Sequence, residues 1–453
     1  MGKKINLTRG HIGKTLTRLA LPIMGTSFVQ MTYNLTDMFW VGKLGSNAVA
    51  AVGTAGFYTW FAFSLILLSK VGAEVFVAQY LGRKDEDGAQ SYARSDIHLN
   101  LFLAVVYGLI LFYFRHYLIG FFNLADVSVT SMGESYLGII AMGTIFMFIN
   151  PVLTSIFNGA GNSKIPFLIN LTGLVINMIL DPILIRGIGP FGAMGVLGAA
   201  VATVISQVVV TVIFIAVMAA SKDHFFKINI FKKVDMERIK YILILGYSVG
   251  IQNGLFSIIA MIIARIISVY GPEAMAAQRL GSQIESITWM TAGGYSTAIS
   301  AFVGQNYGAK KYDRILKGYF SGLRFMSVIG VFATVLLFVF PEQLFSVFLN
   351  DPKTIAIGAN YLRIIAISQW FSTLEISNQG AFNGLGKTIY PSAVGIVFNL
   401  ARIPMVYFLS LTMNLGLDGV WWAITISSIF KGLVLFGFFY VVVIRKYKKQ
   451  GSF

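Results

Sequence analysis

The sequence predicts an all-α polytopic membrane protein of twelve transmembrane helices, arranged as two six-helix lobes. Three observations predict this fold class. The composition is strongly apolar, twelve apolar runs are long enough to cross a bilayer, and the second half of the chain repeats motifs of the first half.

The composition excludes an ordinary soluble protein. Of the 453 residues, 56% are hydrophobic and only 12% are charged, whereas soluble domains carry about 25% charged residues. The chain contains no cysteine, so disulfides and thiolate metal sites are excluded. The basic start is followed by a long apolar run without a small-residue cleavage site, so we expect a retained first helix and not a cleaved signal peptide.

Twelve apolar runs meet the requirement of about 20 residues for a spanning helix. Some exceed that length, which indicates helices that tilt or extend beyond the bilayer. The predicted spans are 15–43, 49–80, 95–116, 130–157, 164–186, 193–220, 238–269, 274–306, 316–340, 354–383, 389–413 and 418–444.

The net charge of +16 reflects membrane orientation and does not indicate a nucleic-acid partner. About two thirds of the 35 Lys and Arg residues lie in the tails and alternate loops on the side of the N-terminus, so the positive-inside rule predicts cytoplasmic termini. We expect a multi-pass protein of the plasma (inner) membrane. The longest polar connection, SKDHFFKINIFKKVDMERIK, predicts lobes at 1–221 and 241–453 with a cytoplasmic linker at 222–240.

The two halves share motifs whose separation along the chain is nearly constant. FNGAGNSKIP from Phe157 matches FNGLGKTIYP from Phe382, INMILDPI from Ile176 matches FNLARIPM from Phe398, and GVLGAAVAT from Gly195 matches GVWWAITIS from Gly419. With six helices each, both halves enter the membrane from the same side. We therefore expect a pseudo-twofold axis along the membrane normal and a site in the cavity between the lobes.

These motifs resemble those of the multidrug and toxic compound extrusion (MATE) family over essentially the whole chain. The resemblance rests on ALPIMGTSFVQMTYNLTDMFWVGKLG in the first helix, VAQYLG and VGQNYG at helix ends, NGAGNSKIP, INMILDPILI and GVLGAAVATVISQ. It implies a V-shaped 6+6 fold that exports cationic or amphipathic organic compounds or drugs in exchange for Na⁺ or H⁺. We expect a monomer with no cofactor beyond the coupling ion.

The seventh helix departs from part of the family. Some members carry a carboxylate midway along this helix, where this chain has Phe256. The sequence is more similar to the branch of DNA-damage-inducible protein F and its archaeal relatives, which implies that the ion chemistry lies in the N-terminal lobe.

Asp37 is the first candidate for this chemistry, because a carboxylate within a membrane helix is costly. Gln30, Asn34 and Asp37 lie on one face of the first helix, and Pro22 can bend that helix. The resemblance carries Pro22, Gln30 and Asp37 onto family positions tied to cavity rearrangement and coupling. The alternative is a hydrogen-bond cluster between packed helices.

Asp181 is the second candidate. Asn177 lies on the same helix face, and Pro182 has no N–H to donate to the carbonyl oxygen of Met178. We therefore expect a carboxylate, an amide oxygen and a carbonyl oxygen close together, and such oxygens suit a hard cation. In the second half an asparagine and a proline recur at the matching positions, but Ile403 replaces the acid. The acid is thus not required by the architecture. The family places an ion site on the positions that match Asn177, Asp181, Ala199 and Thr203.

The remaining candidates are predicted to line a substrate cavity: Gln30, Asn34, Asn150, Tyr33, Gln252 and Glu375. Glu375 is the repeat partner of Asn150. It either attracts a cationic substrate, carries a proton, or forms a salt bridge with Arg265 or Arg402.

Other functions are disfavoured by the sequence. No Walker A loop, Ser–His–Asp arrangement or HExxH motif is present, so neither an ATP-driven pump nor an enzyme is expected, and the scattered histidines do not indicate a metal site. A lipid-linked precursor flippase would need a strongly basic cavity for its pyrophosphate, and a channel would not need an acid in only one lobe.

Overall fold

A computed structural model of the chain describes residues 5–122, 126–188, 192–348 and 351–446. All twelve predicted helices are present, together with one short extra helix, α10. The helices are α1 (Ile12–Gly42), α2 (Ser46–Gly82), α3 (Glu86–Gly120), α4 (Val127–Gly159), α5 (Lys164–Arg186), α6 (Val196–Ala219), α7 (Met236–Ser268), α8 (Pro272–Gly308), α9 (Tyr312–Val339), α10 (Pro341–Ser346), α11 (Pro352–Gly384), α12 (Ile389–Val406) and α13 (Gly416–Phe439). Two π-helical segments, Tyr407–Thr412 and Tyr440–Ile444, extend α12 and α13.

The predicted fold class is therefore confirmed. Within the described ranges, nine helices are long and apolar enough to span a membrane by length and composition. The other long helices, α1, α8 and α11, carry more polar side chains. Both α8 and α11 bury many of these residues, and they pack closely against each other.

Helix α3 begins nine residues before its predicted apolar span, and its capping explains the difference. The carboxylate of Asp85 accepts a hydrogen bond from the backbone N–H of Gly88 at 2.7 Å, and Glu86 and Asp87 occupy the first turn. An N-cap of this kind satisfies an otherwise unpaired backbone donor. Hydropathy alone does not detect such a polar first turn, because it contributes nothing to the apolar run.

The chain packs as two compact units, which comprise the described residues of Met1–Ile5 with Gly25–Gly246, and of Asn6–Met24 with Tyr247–Phe453. In the first unit α4 is central and packs on α2, α3 and α6. In the second unit α11 is central and packs on α8, α9 and α13. Since α4 and α11 carry matching motifs, the two units repeat one packing arrangement.

Residues Asn6–Met24 group with the second unit, and the lobe bounds of 1–221 and 241–453 stay a prediction. Arg314 on α9 donates hydrogen bonds to the carbonyl oxygens of Leu7, Arg9 and Gly10 at 2.7–3.1 Å. Asn306 on α8 donates a further hydrogen bond to the carbonyl of Leu7. These contacts hold the segment before α1 on the second unit.

Candidate functional site

The structure brings Asp37 and Asp181 together in the first unit. Their carboxyl groups, on α1 and α5, lie close enough to interact electrostatically. Thr203 on α6 donates its hydroxyl to Asp37 Oδ2 at 3.3 Å, and Asn177 donates its amide to Asp181 Oδ1 at 3.2 Å. Four of the predicted ion-coupling residues thus form one cluster: Asp37, Asn177, Asp181 and Thr203. They come from single turns of α1, α5 and α6.

This cluster is rich in oxygen atoms that lack a hydrogen-bond donor. Asn177 and Asp181 are fully buried. Among the described residues, no donor serves Asp37 Oδ1, Asn177 Oδ1 or Asp181 Oδ2. Buried acceptors without a donor are unusual in folded proteins, and two carboxylates in contact repel each other. A proton or a small hard cation would relieve both problems.

Tyr33 and Ala199 are also close to the cluster, but in different ways. The Tyr33 hydroxyl donates to the carbonyl oxygen of Thr203 at 3.4 Å, and its ring is buried. Tyr33 is therefore a neighbour of Thr203 in this structure, and its role in a substrate cavity stays a prediction. Ala199 lies one turn before Thr203, and its methyl group packs in the apolar core.

The other predicted residues of α1 lie apart from this cluster. Gln30 and Asn34 are exposed. Pro22 and Pro182 both lie inside continuous helices, α1 and α5. The roles of Gln30 and Asn34 in a substrate cavity, and of the two prolines in bending, stay predictions.

Asn150 is buried between α4 and α6, and its role in a substrate cavity stays a prediction. It is 2% exposed, and its amide donates to the carbonyl and side-chain oxygens of Gln207 at 3.0 and 2.8 Å. Its Oδ1 accepts from the Thr211 hydroxyl at 2.7 Å. Every hydrogen-bonding group of Asn150 is engaged between α4 and α6, so in this conformation the residue joins two helices.

Glu375 forms a buried ion pair, but with a partner that differs from those expected. Lys431 Nζ on α13 lies 3.1 Å from Glu375 Oε2, with side-chain exposures of 9% and 15%. Arg402 interacts with Glu375 only at longer range. The salt-bridge alternative is therefore the arrangement seen, because α11 packs on α13.

Two further buried charges lie in the second unit. Glu285 on α8 accepts hydrogen bonds from Gln369 at 2.8 Å and from the Tyr361 hydroxyl at 3.1 Å. Arg402 on α12 donates to the hydroxyls of Ser427 at 2.7 Å and Ser428 at 3.1 Å. Gln252 on α7, predicted for the cavity, packs against Gly395 of α12, and its buried Oε1 lacks a donor among the described residues.

The internal repeat contains the sequence signal that would have identified Lys431. The separation that relates Gly195 to Gly419 also relates Gln207 to Lys431. The Asn150–Gln207 hydrogen bond of the first unit and the Glu375–Lys431 ion pair of the second unit are therefore equivalent contacts. Extending the repeat beyond the clear motifs would have pointed to Lys431.

Within the described ranges, no group of three or more His, Cys, Asp or Glu residues could hold a metal ion. The first unit instead presents a compact site with two acids, one amide and one hydroxyl. Such a site can take up a single proton or monovalent cation.

The fold and this site define a polytopic, internally repeated membrane protein with a cluster of buried acids in its first unit. Comparisons with known proteins agree, because the MatE family profile matches twice, at residues 22–183 and 249–408. The chain belongs to the MatE family. The two matches also confirm the internal repeat, whereas the branch within the family stays a prediction.

Curated relatives match over nearly their whole length. The probable multidrug resistance protein NorM of Thermotoga maritima is 29% identical over 436 residues, which cover 95% of this chain and 92% of the relative. The probable multidrug resistance protein YoeA of Bacillus subtilis is 26% identical over 451 residues, covering 97% and 96%. Among solved structures, an outward-facing multidrug resistance MATE family transporter of the MOP superfamily superposes with a TM-score of 0.91 at 24% identity, covering 98% of this chain and 99% of that one.

Proposed function

We propose that this protein is a cation-coupled antiporter that exports cationic or amphipathic organic compounds. The observation that supports the proposal best is the cluster of Asp37, Asp181 and Thr203 on α1, α5 and α6, in which buried carboxylate oxygens lack a donor among the described residues. The names of the relatives, probable multidrug resistance proteins, support the same substrate class. The protein would act as a monomer in the plasma (inner) membrane with both termini in the cytoplasm.

The acid cluster supplies a mechanism for coupling. A proton or Na⁺ bound between Asp37 and Asp181 removes the repulsion between them and holds α1 against α5, whereas loss of the ion weakens that contact. Each ligand shifts the population of conformations by its difference in affinity between them. Alternating access follows if the substrate favours the conformation that the ion disfavours.

Neutral substitutions test the role of the two acids. We expect Asp37→Asn and Asp181→Asn each to abolish export of ethidium at normal membrane expression, since an amide keeps the size of the side chain but carries no charge. Asp87→Asn, at an exposed acid in the first turn of α3, is the matched control and should export normally. Wild-type export by either site variant would refute the assignment.

The coupling ion is identified by imposing Na⁺ and H⁺ gradients separately on vesicles that contain the purified protein. We expect one gradient alone to drive ethidium accumulation, and the same gradient to have no effect on Asp181→Asn. Transport that ignores both gradients would contradict coupling.

The flippase alternative gains no support, because a pyrophosphate would face the carboxylates of this cluster.

A further inference from the structure

A groove in the second unit lies between the start of α1 and the start of α9, and we call it the α1–α9 groove. It has a volume of about 500 Å³. Residues 10–13 form one wall, and Asp313, Arg314, Lys317 and Ser321 of α9 form the other. A smaller groove of about 350 Å³, lined by residues 310–314, adjoins it. All of these residues belong to the second unit, so the groove is a feature of one compact body.

The N-terminal wall of the groove is held in place by α9 and the turn before it. Gly10 has a left-handed backbone with a φ of +79°, which turns the chain into α1. The Arg314 guanidinium donates to three carbonyl oxygens of this segment, and Lys311 Nζ donates to the carbonyl of Thr8 at 2.8 Å. These hydrogen bonds fix the wall, but they leave both positive charges unbalanced because a carbonyl group has no net charge.

The α1–α9 groove and its neighbour are strongly basic. Four cationic side chains and one acid, Asp313, line them, and the cations are Lys310, Lys311, Arg314 and Lys317. Within the described ranges, none of these four cations forms an ion pair. Like charges gathered in one place repel each other, so a bound anion would stabilise the groove.

The matching turn of the first unit lacks this basic character. Lys84 and Lys310 both have a left-handed backbone just before α3 and α9, which supports the alignment of these two helices in the repeat. The three basic residues that follow Lys310 are replaced in the first unit by Asp85, Gly88 and Ser91. Both turns are predicted on the same side of the membrane. The positive-inside rule therefore does not by itself account for the basic groove.

Three side chains of the groove keep hydrogen-bond donors for a ligand. The backbone N–H of Lys14 donates to His11 Nδ1 at 3.3 Å, so the proton of the neutral ring is on Nε2, which has no acceptor among the described residues. Lys317 and Ser321 lie one turn apart on one face of α9, and within the described ranges neither side chain forms a hydrogen bond. An ammonium, an imidazole N–H and a hydroxyl suit the oxygens of a phosphate group.

The exposed face of α9 continues from the groove as a mainly apolar surface. Lys317 is exposed, and the exposed residues beyond it follow at helical spacing on the same face. They are Phe320, Arg324, Val328, Val331 and Val335, of which only Arg324 is polar. Since α9 is long and apolar enough to span a membrane, this face suits hydrocarbon chains, and the basic groove at its end suits a charged headgroup.

We propose that the α1–α9 groove binds the phosphate of an anionic phospholipid, whose acyl chains lie along the exposed face of α9. The net negative charge of such a lipid offsets the excess positive charge, whereas a zwitterionic lipid brings its own ammonium group into a basic groove. The lipid belongs to the leaflet on the side of the N-terminus, which the charge distribution predicts to be cytoplasmic. This site is independent of the proposed export function, because its occupancy does not require transport.

The test measures lipid binding to the purified protein in detergent by native mass spectrometry. The probes are phosphatidylglycerol and phosphatidylcholine with the same acyl chains, and glycerol 3-phosphate is the soluble competitor. We expect phosphatidylglycerol to bind more tightly than phosphatidylcholine, and glycerol 3-phosphate not to displace it. Lys317→Gln should weaken phosphatidylglycerol binding about fivefold, the usual contribution of one basic residue near an anionic lipid, and leave phosphatidylcholine binding unchanged.

Two further variants separate the groove from the basic surface in general. Gly13→Leu fills the groove and removes no charge. An added Cβ at Gly13 would lie 3.5 Å from the His11 ring and 3.6 Å from Ser321 Oγ, which are ordinary contacts, so α1 can accept a side chain there. This variant should also weaken phosphatidylglycerol binding. Lys240→Gln, at an exposed lysine in the second turn of α7, is the matched control and should bind as the wild type does.

Several outcomes would overturn the lipid site. Equal binding of the two lipids by the wild type would do so, and displacement by glycerol 3-phosphate would assign the groove to a soluble phosphate compound. Unchanged phosphatidylglycerol binding in either folded variant, Lys317→Gln or Gly13→Leu, contradicts the assignment as well. An equal loss in Lys240→Gln would show attraction to the whole basic surface in place of a site.

Discussion

At the scale of single residues, the candidate site was only partly predictable. Helical spacing alone predicts that Asn177 and Asp181 share a face, and their side chains do form a hydrogen bond. The proximity of Asp37 to Asp181 involves two different helices, so no local sequence pattern contains it. Lys431 was missed because one lysine in an apolar run gives no sign of its partner.

The equivalent contacts Asn150–Gln207 and Glu375–Lys431 allow a prediction about buried charge. We expect Glu375→Gln or Lys431→Gln alone to destabilise the protein by about 3–5 kcal/mol, since each leaves one buried charge unpaired. The double variant Glu375→Gln/Lys431→Gln should recover most of this loss, because two amides can form the kind of bond that Asn150 and Gln207 form. Thermal unfolding in detergent measures all three.

Comparison of the single variants with the double variant also distinguishes a stabilising ion pair from two side chains that act independently. Recovery in the double variant shows that the two side chains stabilise the second unit as a pair. If the losses of the single variants add instead, Glu375 and Lys431 do not depend on each other and the observed contact is energetically unimportant.

At the scale of helices, the sequence predicted the number and order of the helices well, but it predicted their ends less well. Apolar runs locate the twelve spans because burial in lipid requires them. They do not locate polar extensions such as the start of α3, nor the short α10 before α11. The most polar helices, α8 and α11, are still membrane helices here because much of their polar surface is buried by neighbouring helices within their unit.

Close helix packing depends on repeat-matched glycines. Gly159 on α4 lies against the backbone of Glu74 on α2, where an added Cβ would come within 2.7 Å of the carbonyl oxygen. Gly384, its repeat partner at the end of α11, lies in the same way against the backbone of Ser300 on α8. Backbone cannot move aside as a flexible side chain can, so the helices would have to separate.

We therefore expect Gly159→Ala and Gly384→Ala each to lower stability by about 1–3 kcal/mol, the usual cost of overpacking. Gly437→Ala on α13 is the matched control, since an added Cβ there meets no atom within 4 Å, and alanine favours the helix. The melting temperature in detergent should fall for the first two variants and hold or rise for the control. Similar melting of all three would show that these crossings tolerate a methyl group.

At the scale of the whole molecule, duplication produced two copies of one scaffold with different chemistry. The twofold match of the family profile and the central positions of α4 and α11 show the shared architecture. The first unit has two acids in its cluster. The second unit has Arg402 next to the residue that matches Asp181, and an ion pair where the first unit has Asn150 and Gln207. An internal repeat thus predicts where a second site lies, but only the residues themselves determine what it binds.

The orientation of the molecule in the membrane decides whether the proposed antiporter exports or imports its substrate. The charge distribution predicts that the connection after α6 is cytoplasmic and that α4 begins on the outer side. The chain has no cysteine, so a single introduced cysteine reports its own side without background. Phe231 and Val127 are suitable positions, since they are 94% and 82% exposed.

We expect Val127→Cys to react with a membrane-impermeant maleimide added to intact cells, and Phe231→Cys to react only after the membrane is permeabilised. The unmodified chain, which has no thiol, is the control for labelling of other groups. The opposite pattern would place both termini outside and reverse the direction of transport implied by an inward ion gradient. Labelling of both cysteines from the same side would contradict the predicted path of the chain between α3 and α7, because three membrane crossings separate the two positions.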